Sequence, residues 1–155
     1  MEGTNVMGKL KGSNSLAQAL GPIFGLFYVA IGIIGFFVTG FSNFTQNTND
    51  ALLGFQINPF HNLVHLGIGL FLIIMTTSFT TAVAEGAVLG VGIFYIAAFA
   101  IGVVAKDNLT ILSMYGAGDL ENLNHIVNGV ALLTIGLIST GASEARSKKT
   151  GVPAH

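Results

Sequence analysis

Four long apolar blocks, separated by short polar segments, dominate the chain: about Leu20 to Phe41, Phe60 to Phe79, Ala87 to Ala105 and Ile126 to Ser139. Each is near the roughly 20 residues that carry a helix across a hydrocarbon core about 30 Å thick. The last is the shortest, and Asp119 to His125 can start its helix in the headgroup layer. None alternates as barrel strands do, and in lipid only helices and closed barrels pair every backbone group. The pattern predicts an all-α integral membrane protein, a four-transmembrane-helix bundle. Its spans are about 20–41, 59–81, 86–105 and 120–142, within a domain of 16–143. Residues 1–15 are expected to be a flexible N-terminal tail and 144–155 a C-terminal tail.

Composition agrees: 52% of residues are hydrophobic and only 8% charged, against about 25% charged in soluble domains. A net charge of −1 without a long basic run makes nucleic acid an unsuitable partner. The partners expected are the lipid bilayer and other membrane proteins or a second copy. The absence of Cys excludes disulfides, thiolate metal sites and iron–sulfur clusters. The first block is too long for a signal-peptide core and lacks a small-residue cleavage site, so it reads as a retained span.

Lys9 and Lys11 precede the first span, Arg146, Lys148 and Lys149 follow the last, and only Lys106 lies in a loop. The positive-inside rule therefore puts both termini in the cytoplasm. The loops after spans one and three then face outward, with the sequons at Asn43 and Asn108. The link between spans two and three is very short and holds Glu85, which predicts that these two helices are antiparallel neighbours.

The halves of the chain echo each other. Shifting by 67 pairs Gly25, Phe27, Tyr28, Ala30 and Gly35 with Gly92, Phe94, Tyr95, Ala97 and Gly102. Shifting by 60 pairs Asn62, Leu63, His65, Gly69 and Leu72 with Asn122, Leu123, His125, Gly129 and Leu132. Ordered self-similarity of this kind predicts two parallel two-helix repeats about an axis along the membrane normal.

The polar residues worth chemical scrutiny sit in the echoed segments "NPFHNLVHLGIGL" and "ENLNHIVNGV". Asn58 suits an N-cap and Pro59 the first helical position, so the second span begins at this motif. His61 and His65 are four apart and share a helix face. By the shift of 60 they answer to Glu121 and His125, so His61, His65, Glu121 and His125 could converge as a metal-ligand set. A haem or chlorophyll on His65 and His125 is a second form of ligation, with Gly69 and Gly129 giving clearance. Equally, the histidines and the neighbouring Asn62 and Asn122 could only hold loops and helices together by hydrogen bonds. Small residues four apart (Gly21 and Gly25, Gly86 and Gly90, Ala98 and Gly102) permit close helix contact. No phosphate loop or nucleophilic triad is recognisable, and His155 is expected to be disordered.

The core Asn58, Pro59, His61, Asn62, His65 and Leu66, with Asn122, His125 and Gly129 later, resembles the bacterial family catalogued as domain of unknown function 4383. The likeness extends over about Leu16 to Ser143, with Ile126 in place of the second half's usual Leu. The resemblance implies a small four-helix protein of a bacterial membrane and no activity. The expected function is a non-enzymatic accessory or structural subunit of a membrane assembly or homo-oligomer. The alternatives are a His-ligated carrier of haem, chlorophyll or a transition metal and, less favoured, a transporter or proton-coupled protein. The expected site is the bacterial cytoplasmic membrane, with a thylakoid-type membrane as the alternative and the histidines outward.

Overall fold

The computed structural model describes residues 14–105, 110–114 and 118–151. Lys9, Lys11, Lys106, Asn108 and His155 lie outside them. Four helices are each long and apolar enough to cross a membrane: α1 Leu16–Thr39, α2 Pro59–Ser78, α3 Thr81–Val104 and α4 Leu120–Thr150. The chain is an all-α integral membrane protein.

Local chemistry sets the helix starts. Ser15 and Gln18 form a reciprocal capping box on α1. Asn58 Oδ1 accepts the His61 N–H at 2.8 Å, and Pro59 occupies the first turn of α2, where its missing N–H costs nothing. Asp119 accepts the Glu121 N–H at the start of α4. Two helix ends depart from expectation. Only Phe79 and Thr80 separate α2 from α3, so Glu85 belongs to α3 rather than to a link. The C-terminal tail continues α4 to Thr150, because "SEARSKK" is mostly helix-forming, places Lys148 and Lys149 in the last turn and ends at Gly151 with φ 67°.

The principal contacts pair α1 with α2 and α3 with α4, while α2 meets α3 over a smaller surface. Glycine makes each pairing close. A Cβ on Gly69 would lie 2.6 Å from the Gly25 carbonyl oxygen and 2.7 Å from the Val29 nitrogen. One on Gly129 would lie 2.7 Å from Ile96 Cδ1 and 3.0 Å from its nitrogen. Gly86 and Gly90, by contrast, face open space. Tyr28 stacks on Tyr95 at 5.4 Å between ring centroids, in the middle of a core that includes Leu72, Val88 and Leu132. Phe37, Ile23, Leu26, Ile93, Val127 and Leu137 point outward, as residues bathed in lipid do.

Two ends are thereby defined. The starts of α1 and α3 meet the later part of α4, with Ala17 N–H donating to Ser139 Oγ and Thr81 Oγ1 to Gln18 Oε1. The starts of α2 and α4 lie at the other end, capped by the connections between α1 and α2 and between α3 and α4. The first connection holds a small antiparallel ribbon, β1 Ala51–Leu52 with β2 Phe55–Gln56, which the sequence pattern did not signal. Its turn is Leu53-Gly54, both at positive φ as a primed hairpin turn requires, but without the Asn or Asp that marks such turns. A short 3₁₀ turn, Thr110–Leu112, lies in the second connection.

Candidate functional site: a buried histidine and glutamate cluster

The starts of α2 and α4 bring together all four residues that the echoed motifs single out. His61, His65, Glu121 and His125 are between 2% and 6% exposed. His61 and His65, one turn apart, stack at 4.6 Å with their Nε2 atoms 2.8 Å apart. One of those nitrogens must carry a proton for a hydrogen bond, since two lone pairs repel at this distance. His61 also faces His125 across the bundle, with ring centroids 6.2 Å apart. On α4, Glu121 and His125 are likewise one turn apart, and Glu121 Oε2 lies 3.8 Å from His125 Nε2. That is beyond hydrogen-bond reach.

The tyrosines are what the sequence reading missed. Tyr28 stacks on His65 at 5.7 Å, and Tyr95 meets His125 at the same distance. Tyr95 Oη also lies 3.4 Å from His65 Nδ1, while Tyr28 donates to Asn128 Oδ1 at 2.7 Å. The signal was present in the shared F-Y-x-A of α1 and α3, which only marked the repeat. Glu85 was missed as well. It is buried at the opposite end, where it accepts from Ser139 and Ser143.

The asparagines hold the framework. Asn62 Nδ2 donates to Thr39 Oγ1 at 2.9 Å, and its amide fills the space over Gly35. Asn122 lies over Gly102 beside Met114. Asn58 reaches furthest: its Nδ2 faces the carbonyls of Gln46, Thr110 and Ile111 at 2.9–3.2 Å. One side chain thus caps α2 and ties the α1–α2 and α3–α4 connections to it.

Space around the cluster is limited. A pocket of about 60 Å³ lies beneath the ribbon and borders His65 and Glu121, with Leu52, Phe55 and Ile57 above it. Another of about 20 Å³ lies between His61, His65, Tyr95 and His125. Sites for drug-sized ligands measure roughly 300–1,000 Å³. In this packing the side chains can surround an ion with a water or two, whereas a tetrapyrrole would have to displace the tyrosine stack.

Residues 18–138 match the family model described as Domain of unknown function (DUF4383). The chain belongs to this family. The matched segment contains the whole cluster and both tyrosines, in agreement with the motif resemblance. No curated protein and no solved structure matches the chain.

Proposed function

We propose that this protein is a non-enzymatic accessory subunit that works through its surface within a larger membrane assembly or a homo-oligomer. The observation that supports this is how the interior polar groups are used. Asn58, Asn62, Glu85, Ser139 and Asn128 join helices and connections of the same chain to one another, and the pockets beside the histidines hold about 60 and 20 Å³. Such an interior suits a rigid scaffold rather than a substrate site. A wider hollow, about 350 Å³, is an apolar groove of Ile126, Val127, Val130 and Ala131 on α4. The basic residues favour both termini on the cytoplasmic side and the histidine end outward, and the family resemblance favours a bacterial membrane.

A duplicated two-helix origin fits this reading. Its support is that equivalent contacts recur at the same offsets: Tyr28 with His65 and Tyr95 with His125, Asn62 on Gly35 and Asn122 on Gly102. A second reading, a His-ligated carrier of a transition metal, draws on the unpartnered atoms of the cluster.

Cross-linking in native membranes followed by gentle solubilisation tests the accessory role. A larger species of defined stoichiometry is expected, either with another membrane protein or with further copies of this chain. Recovery of monomer alone, before and after cross-linking, would remove the proposal.

A further inference from the structure

Among the described residues, the buried polar atoms at the histidine end that meet no hydrogen-bond partner include His61 Nδ1, Glu121 Oε2 and His125 Nδ1. They belong to three residues that each offer a ligand atom within 4.8 Å of the other two. We propose that His61, Glu121 and His125 bind one divalent first-row transition-metal ion, with His65 as the positioning residue that holds His61. The site deepens the second, transition-metal reading above, on which it rests, and is independent of the accessory role.

The donor set selects the class of ion. Two imidazoles and one carboxylate suit zinc and its first-row neighbours, whereas calcium and magnesium seek oxygen ligands and near-complete oxygen shells. Bonds of about 2.0–2.2 Å place two ligands of one ion roughly 3–4 Å apart. The 3.8 Å between Glu121 Oε2 and His125 Nε2 is too long for a hydrogen bond and falls in that range.

Framework and charge point the same way. Glu121 and His125 are spaced i, i+4 on α4, the spacing that turns two side chains toward one ion within a bundle, and the start of α2 brings His61 to the same end. A buried carboxyl group stays ionised only beside a compensating charge, which a bound cation would supply. Among the described residues the cations are Arg146, Lys148 and Lys149, at the far end of α4. Glu121 and Arg146 are 25 residues apart on that helix, about 37 Å at 1.5 Å per residue. A metal-bound His61 would pass its other ring N–H to His65, which in turn meets Tyr95, the kind of outer chain that fixes a ligating imidazole. The pocket of about 60 Å³ bordering Glu121 has room for a water as a fourth ligand.

The test uses the full chain in detergent or nanodiscs, with any affinity tag removed, stripped by a chelator and titrated with Zn²⁺ and Co²⁺. One equivalent per chain is expected, with Co²⁺ giving the intense visible bands of a four- or five-coordinate ion. Glu121→Gln and His125→Ala should each weaken binding at least about 100-fold, and His65→Ala about 10- to 100-fold with the stoichiometry kept. His155→Ala, which removes the fourth histidine of the chain, should change nothing. A folded wild type that binds neither ion saturably overturns the proposal, and so does one-equivalent binding that survives His61→Ala with His125→Ala. If a variant fails to fold, the wild-type titration and its Co²⁺ spectrum still decide between these outcomes.

Discussion

Glu85 and Glu121 are buried to nearly the same degree at opposite ends of one bundle, yet their surroundings are opposite in kind. Glu85 Oε1 accepts Ser139 Oγ–H at 2.9 Å and Ser143 Oγ–H at 2.6 Å, and Ser139 in turn accepts the Ala17 N–H at the start of α1. This carboxylate completes a local network that joins three helices. The Glu121 carboxyl meets the Asn124 side chain, yet its Oε2 has no hydrogen-bond donor, and His125 Nδ1 also lacks a partner. Buried polar groups are almost always partnered, so equal burial has unequal meaning here. One end is a closed structural joint, and the other has ligand capacity left over.

The largest effect is expected at mid-bundle. Gly69→Val would force a side chain into the Gly25 carbonyl and the Val29 nitrogen. A loss of about 3 kcal/mol is expected, read by heat- or SDS-induced unfolding in mild detergent, with both ends loosening together. Asn58→Ala should loosen the histidine end alone. It removes the α2 cap and the donor to Gln46, Thr110 and Ile111, costing about 2 kcal/mol. Hydrogen exchange should rise in 40–57 while the first turn of α1 stays protected.

The sharpest contrast comes from the two glutamates. Glu85→Ala leaves the buried Ser139 hydroxyl and the half-buried Ser143 hydroxyl without their acceptor and should cost about 1.5 kcal/mol. Glu121→Gln in chelator-treated protein should stay within about 0.5 kcal/mol of the parent, because it removes no hydrogen bond from Oε2. Equal losses in the same unfolding assay would mean that the two ends do not differ as their geometry indicates. The smallest effect is expected at Gly67, where an added Cβ meets nothing within 4 Å. Gly67→Ala should stabilise α2 by about 0.5 kcal/mol and leave exchange at both ends unchanged.

Much of the molecule was legible in the chain. The four apolar blocks gave the helices because a lipid-spanning segment must be long, apolar and internally hydrogen-bonded. Asn58 and Pro59 marked the start of α2 because capping depends on adjacent residues alone. The exact ends were less legible. Thr81–Glu85 resembles a polar link until the two-residue turn before it is known, and "SEARSKK" is too polar to look like part of the last apolar block even though it continues the same helix. The ribbon at Ala51–Gln56 escaped because Leu53-Gly54 lacks a strong turn signature.

The motif spacing established that His61 and His65, like Glu121 and His125, lie on one face of their own helices, since 3.6 residues per turn admits nothing else. Whether the two faces meet depends on how far α2 and α4 are rotated about their axes, which no spacing within one helix records. Packing decided it: glycines let α1 approach α2 and α3 approach α4, and the Tyr28–Tyr95 stack fills the centre between the pairs. The four side chains that the sequence could only place on two helices were thereby brought into one buried cluster.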